Sequence, residues 1–240
     1  RRPMSWRIVY ISSVSKLDYK MGYLVVRNQE GLKRVHLSEI SVLTIEHPIE
    51  LRRFLMDLKN QINGLTGEAV LSEDFELLEF SNAAILLTDI FTIDFSSRKL
   101  VSKIYEDVCN SAYQEDLHHI LILLNQLAVQ ITMNMDFDAS FTELNDSTIL
   151  LKQLNFCVDT ENLSYPEQLI LYIKLQQRFL KKKLVILYNL KSCLSVSELE
   201  AFYQTIQYEK LSILLIENMQ RDPPLSMEHT MIIDKDLCVF

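Results

Sequence analysis

Two short apolar segments, LVILY (184–188) and LSILLI (211–216), most constrain the fold of this chain. Neither alternates apolar with polar residues, so neither suits a sheet with one wet face. Both suit strands covered on two faces. Helical patterns flank them. Ser164 with Glu167 opens one helix running to about Leu180, and Ser195 with Glu198 opens another, each pair being a capping box. Helix, strand, helix, strand predicts an α/β fold with a mostly parallel sheet. Further strands are expected at 23–27, 34–37, 40–46, 75–80, 83–87 and 231–233, with a helix entered at Pro48 and carrying Leu51, Phe54, Leu55, Leu58 and Ile62.

The middle of the chain reads differently. Ser97 is placed to cap a helix over 98–110, a second helix spans about 115–135, and a third about 144–154; apolar residues recur at three and four in the first two. From Ile104 to Leu151 there are eight Asp or Glu and no Lys or Arg. The expected organisation is an N-terminal extension (1–22), an α/β head built from 23–96 and 156–240, and an extended helical leg inserted at 97–155.

Charge is segregated along the chain. The formal net charge is −8, yet between Gln168 and Ser197 stand Lys174, Arg178, Lys181, Lys182, Lys183 and Lys191 with no Asp or Glu. Such a stretch is either a collar of lysines at a strand end or a footprint for an anion. A hydrophobic fraction of 48% and few Gly or Pro exclude a disordered class. No apolar run reaches the roughly 18 residues that cross a bilayer, and the N-terminus lacks a signal-peptide core, so a cytosolic setting is expected. Arg1–Arg2–Pro3 ahead of Met4 reads as an added remnant. Cys109, Cys157, Cys193 and Cys238 are widely spaced in apolar company, which predicts buried free thiols.

Chemistry is sparse. The glycines, at 22, 31, 64 and 67, form neither GxxxxGK[ST] nor GxGxxG, which argues against nucleotide hydrolysis. His118 and His119 are helix neighbours about 100° apart and cannot share a metal. Asp136, Asp138 and Glu143, with Asp146 nearby, offer oxygen ligands for a hard cation such as Ca²⁺, against the plainer reading of a solvated loop.

Three segments together resemble the type II-A CRISPR adaptation accessory protein family: LLTDIFTIDFSSRKLVSKIYEDV (86–108), FLKKKLVILYNLKSCLSVSELEAFYQTI (179–206) and KLSILLIEN (210–218). They occur in order at the right separations, and the similarity runs from about 24 to 234. The family's Asp–x–Asn–Ser–Ser helix start reads Asp94–Phe95–Ser96–Ser97 here, with Ser96 in place of Asn. A second resemblance, to the opening strands of the type II CRISPR integrase, lies in SWRIVYISSVSKLDYKMGYLVVR (5–27) and VHLSEISVLTIE (35–46). The integrase's metal-binding helical domain has no counterpart, so its chemistry does not carry over.

The accessory-protein resemblance implies a non-enzymatic homotetramer, its head related to degenerate nucleoside triphosphatase folds. The ring encloses double-stranded DNA through inner-wall lysines, is supported by calcium, and serves spacer acquisition beside the integrase complex and the type II effector nuclease. On that reading Lys174, Arg178, Lys181, Lys182, Lys183 and Lys191 contact DNA, with Arg52, Arg53, Lys99 and Lys103 as the next candidates. Asp136, Asp138 and Glu143 hold the metal. The competing readings are a metal-dependent nuclease or integrase-related subunit using the same acidic cluster, and a protein-only scaffold.

Overall fold

In the computed structural model, residues 22–28, 31–74, 76–221 and 223–240 are described. Residues 1–21 of the expected N-terminal extension (1–22) and of the integrase-like segment lie outside them, whereas Gly22 opens a strand. Among the described residues the strands form two sheets. The larger runs β6 (Ala84–Leu87), β7 (Leu184–Tyr188), β8 (Ile213–Glu217), β3 (Ile40–Ile45) and β9 (His229–Ile233), and every neighbouring pair is parallel. The expected mostly parallel α/β sheet is therefore what the chain forms.

Side chains alternate across this sheet, and both faces are covered. Leu184 and Ile186 of β7 join Leu214 and Ile216 of β8 in one core, with Leu51, Phe54 and Leu58 of α1 (Pro48–Ile62). Val185, Leu187, Ile213 and Leu215 point the other way. They meet Leu169 and Ile173 of α6 (Tyr165–Phe179) and Phe202, Tyr203 and Ile206 of α7 (Val196–Tyr208). Fully burying one such aliphatic side chain contributes about 1.5–3 kcal/mol, so the apolar strands hold the two layers together. Both capping boxes form: Glu167 and Glu198 reach back to the backbone N–H groups of Ser164 and Ser195 at 2.7 and 2.8 Å. Each carboxyl is held below its usual range by its serine hydroxyl first and that N–H second.

The smaller sheet is antiparallel, in the order β2 (Gly31–Leu37), β1 (Gly22–Asn28), β4 (Val70–Glu73), β5 (Glu76–Leu78). Leu24, Val35 and Leu71 pack it onto the first core. β4 carries no sequence signal, being four residues without alternation. The strand expected over 75–80 is shorter, because Phe80 turns into α2 (Phe80–Ala83) and buries there; Phe75 lies outside the described residues.

Between β6 and α6 the chain is helical: α3 (Arg98–Cys109), α4 (Gln114–Met133) and α5 (Thr148–Gln153). Two local expectations are corrected. Ser97 stands at the N-cap of α3, but its side chain makes no capping bond; Asp94 instead accepts from the Ser96 N–H and hydroxyl at 2.8 and 2.7 Å. The third helix starts at Thr148 rather than near 144, because Asn125 clasps the Leu144 backbone from both sides, at 3.0 and 2.9 Å. The cysteines are free but not buried: Cys157, Cys193 and Cys238 are exposed and Cys109 half-buried, since apolar neighbours in sequence do not place a residue on an inward face.

A carboxylate closes β8. Glu217 is 1% exposed, Oε1 accepts from the Lys191 N–H at 3.1 Å, and Oε2 has no partner among the described residues. Burial pushes its carboxyl up to about 6, against the opposing pull of that N–H and of the Lys191 and Arg221 charges. An acid whose pKa is raised by folding is less costly to bury when protonated. Its penalty is absent below the unfolded value near 4.5 and grows as pH rises through about 6. Glu217→Gln is expected to be more stable than the parent above pH 7, by about 2 kcal/mol, with the gain gone below pH ~4.5. Urea unfolding at both pH values checks this.

Candidate nucleic-acid interface

The lysine tract sits where α6 ends and β7 begins. Lys181 takes a left-handed backbone (φ 56°), the turn that lets the chain leave the helix; the Lys182 N–H returns to the Gln176 carbonyl at 3.2 Å. The Lys183 N–H then bonds the Ala83 carbonyl at 2.7 Å, beginning the pairing of β7 with β6. The three lysines are thereby fixed at the amino ends of two parallel strands.

Their side chains have different fates. Lys181 is exposed and has no ion pair among the described residues. Lys182 is 9% exposed and donates to the Ser81 carbonyl at 2.7 Å. Burial, and then the positive charge of Lys99, pulls its pKa down. Lys183 is half exposed and pairs with Glu73 of the antiparallel sheet. Lys99, in the first turn of α3, completes a groove of about 400 Å³ with these three, floored by Leu77, Leu78 and Leu180. Glu79 also lines the groove and Glu73 pairs with Lys183, so four lysines face two carboxylates and leave a net positive groove in an acidic chain.

The remaining predicted contacts are dispersed. Lys174 pairs with Glu209 at 2.8 Å. Arg178 pairs with Asp107 at 3.2 Å and lies over the Phe179 ring at 4.9 Å. Lys191, beyond the carboxyl end of β7, meets the fully buried side chain of Glu228 at 2.7 Å. The structure thus brings Lys181, Lys182 and Lys183 together and sets Lys174, Arg178 and Lys191 against carboxylates. The one-sign stretch of sequence is neutralised in space by residues far along the chain. Lys99 is the residue the basic tract could not reveal. Its only signal was membership of a second-choice set of cations, because a crossing 83 residues later places it beside Lys182.

The metal reading meets a poor fit. Asp136, Asp138 and Glu143 are exposed on an irregular segment between α4 and α5. Among the described residues no three His, Cys, Asp or Glu side chains group closely enough to hold an ion. Asp146, nearest in sequence, is committed to Thr148, accepting from its hydroxyl at 2.7 Å and its N–H at 2.9 Å; these two bonds, in that order, hold its carboxyl below the usual range. His118 and His119 are exposed on α4. No helix among the described residues is long and apolar enough to cross a membrane.

Residues 61–237 match the family model described as CRISPR-associated protein (Cas_Csn2). No curated protein matches the chain. Among solved structures it is similar to an ATP-binding cassette of an ABC transporter in its ADP conformation, with a TM-score of 0.44, 11% identity, and 90% of this chain and 88% of that one covered. It is also similar to a nucleotide-free ATP-binding cassette from an ABC transporter, with a TM-score of 0.43, 9% identity and the same coverage.

The different settings of adjacent lysines predict different costs. Lys182→Glu replaces a buried donor by an acceptor facing the Ser81 carbonyl, and is expected to lower stability by about 1–3 kcal/mol or more. Lys181→Glu is expected to stay within about 0.5 kcal/mol of the parent. Denaturation midpoints of the two variants test this; equal losses would contradict the assignment.

Proposed function

The chain belongs to the CRISPR-associated Cas_Csn2 family, and from that premise we propose that it is a sequence-independent double-stranded DNA-binding protein of spacer acquisition, acting as a homotetrameric ring rather than as an enzyme. The observation that carries the reading is the groove of Lys99, Lys181, Lys182 and Lys183. Lysine ammonium groups recognise phosphate as point charges and carry no base-reading geometry, so such a groove favours backbone contact without sequence preference. The acidic remainder of the chain repels DNA from other approaches.

Assembly has its own support. Of α4's twenty residues only Leu121 is buried, while Leu123, Leu127 and Ile131 are about half exposed along one line of the helix. An apolar stripe of this kind is stable in water when a second surface covers it. A ring built from such contacts would repeat the lysine groove once per subunit, so phosphate contacts would add around an enclosed duplex.

Size measurement in solution is expected to give a multiple of 28.1 kDa, with four copies favoured. Linear duplex should bind and a covalently closed circle of the same sequence should not, since threading needs an end. The log of the affinity should fall linearly with log salt, at about −0.9 per phosphate neutralised. Lys99→Glu with Lys181→Glu, both on exposed side chains, should reduce duplex affinity at least about tenfold at unchanged assembled size, because two attractions per subunit become repulsions. Undiminished binding in that variant removes the groove from the interface.

A further inference from the structure

Phosphate contact leaves one apolar and one acidic feature of the molecule without a use. The floor of the lysine groove is aliphatic: Leu77, Leu78 and Leu180 line it with the four lysines, and Leu77 is 71% exposed. A phosphate takes its attraction from the ammonium groups and does nothing to remove such a floor from water. Cations around an apolar floor are complementary to a ligand that carries carboxylates around an apolar side chain. That composition occurs in the irregular segment between α4 and α5. Residues 135–143 read MDFDASFTE, with three acids and no Lys or Arg. Phe137 is 64% exposed, and Met135, Phe141, Asp136, Asp138 and Glu143 are exposed with it. Among the described residues none of the three carboxylates has a hydrogen bond or an ion pair, and neither phenylalanine a ring contact.

Both ends of this loop are tied to α4. Asn134 donates to the Gln130 carbonyl at 2.8 Å, and Asn125 holds Leu144. Its exposed side chains follow directly on Ile131 and Met133, so the uncovered apolar surface of α4 runs on into the loop. No residue of 135–143 lines the lysine groove of its own chain. We propose that loop 135–143 of one copy docks into the lysine groove of a second copy. Successive side chains of an extended segment alternate, which turns Phe137 onto the leucine floor and leaves Asp136 and Asp138 level with the exposed lysines of the rim, Lys99 and Lys181. An aromatic anchor in an apolar recess ringed by opposite charges is the arrangement that gives a small contact its specificity. One consequence rests on the duplex reading: the loop covers the lysines that phosphate would take, so DNA binds by displacing it.

A fluorescein-labelled peptide of residues 133–144 tests the docking by anisotropy. The receptor is the full chain with Asp136→Asn, Asp138→Asn and Glu143→Gln, whose own loops then compete weakly. The peptide is expected to bind, and Lys99→Glu with Lys181→Glu in the receptor should weaken it at least about tenfold. Phe137→Ala with Phe141→Ala in the peptide should also cost at least about tenfold, although its charge is unchanged. The same two substitutions in the otherwise unaltered full chain should raise affinity for linear duplex at least about threefold at unchanged assembled size, because the competing loop is lost while the net charge is kept. Four results overturn the docking: no peptide binding; equal binding by the alanine peptide; binding that survives the two lysine substitutions; or a measurable duplex affinity that the full-chain Phe137/Phe141 variant leaves unaltered. Absence of duplex binding in parent and variant alike, with the peptide bound as expected, overturns the duplex reading and leaves the docking standing.

Discussion

Burial of β7 and β8 on both faces is the constraint from which the rest of the architecture follows. Every one of Ile213–Glu217 is buried, as are Leu184–Leu187 of β7, so helices must lie above and below, and the sheet must be parallel to leave room for their crossovers. The same constraint sets where polar chemistry can occur. A strand with no wet face offers functional groups only at its two ends, and both ends are used here. Lys182 and Lys183 enter β7 at its amino end, and Glu217 closes β8 at its carboxyl end. Each terminal charge is drawn partly into the core, which is why burial lowers the pKa of Lys182 and raises that of Glu217.

The two edges of the sheet therefore carry different grooves. At the amino edge four lysines converge with little but aliphatic side chains and Glu79 and Asn82 beside them, an arrangement suited to diffuse attraction for a polyanion. At the carboxyl edge Arg52 and Lys59 stand over an apolar bed beside the hydroxyl, amide and carboxylate groups of Thr88, Tyr188, Asn218 and Glu46. Exposed ion pairs elsewhere, such as Arg178 with Asp107, contribute little to stability but remove charge from surfaces that would otherwise compete.

The inserted helices answer to a different balance. Tyr105 is anchored on the Phe156 carbonyl at 2.9 Å, and α3 rests against α6. α4 has an apolar sequence and acidic flanks but finds almost no cover among the described residues. The resulting surface is the clearest unmet requirement in the molecule.

Much of this was legible in residue order alone, where local physics decides. Capping boxes at Ser164 and Ser195 and the apolar runs of β7 and β8 appear as read, because a cap and a two-faced strand need only their neighbours to be recognised. Tertiary structure decided the rest. The four residues of β4 acquire strand geometry only by pairing with β1 and β5. Lys99 becomes a neighbour of Lys182 only when α3 packs beside the start of β7, and Lys174, Arg178, Lys183 and Lys191 lose their apparent freedom to Glu209, Asp107, Glu73 and Glu228. The acidic loop fails to gather its carboxylates for the converse reason: spacing brings Asp136, Asp138 and Glu143 near one another in sequence, but no packing holds them at a common point. Periodicity and capping are properties of adjacent residues, whereas a charged groove is a property of distance in space. Only the path of the folded chain sets that distance.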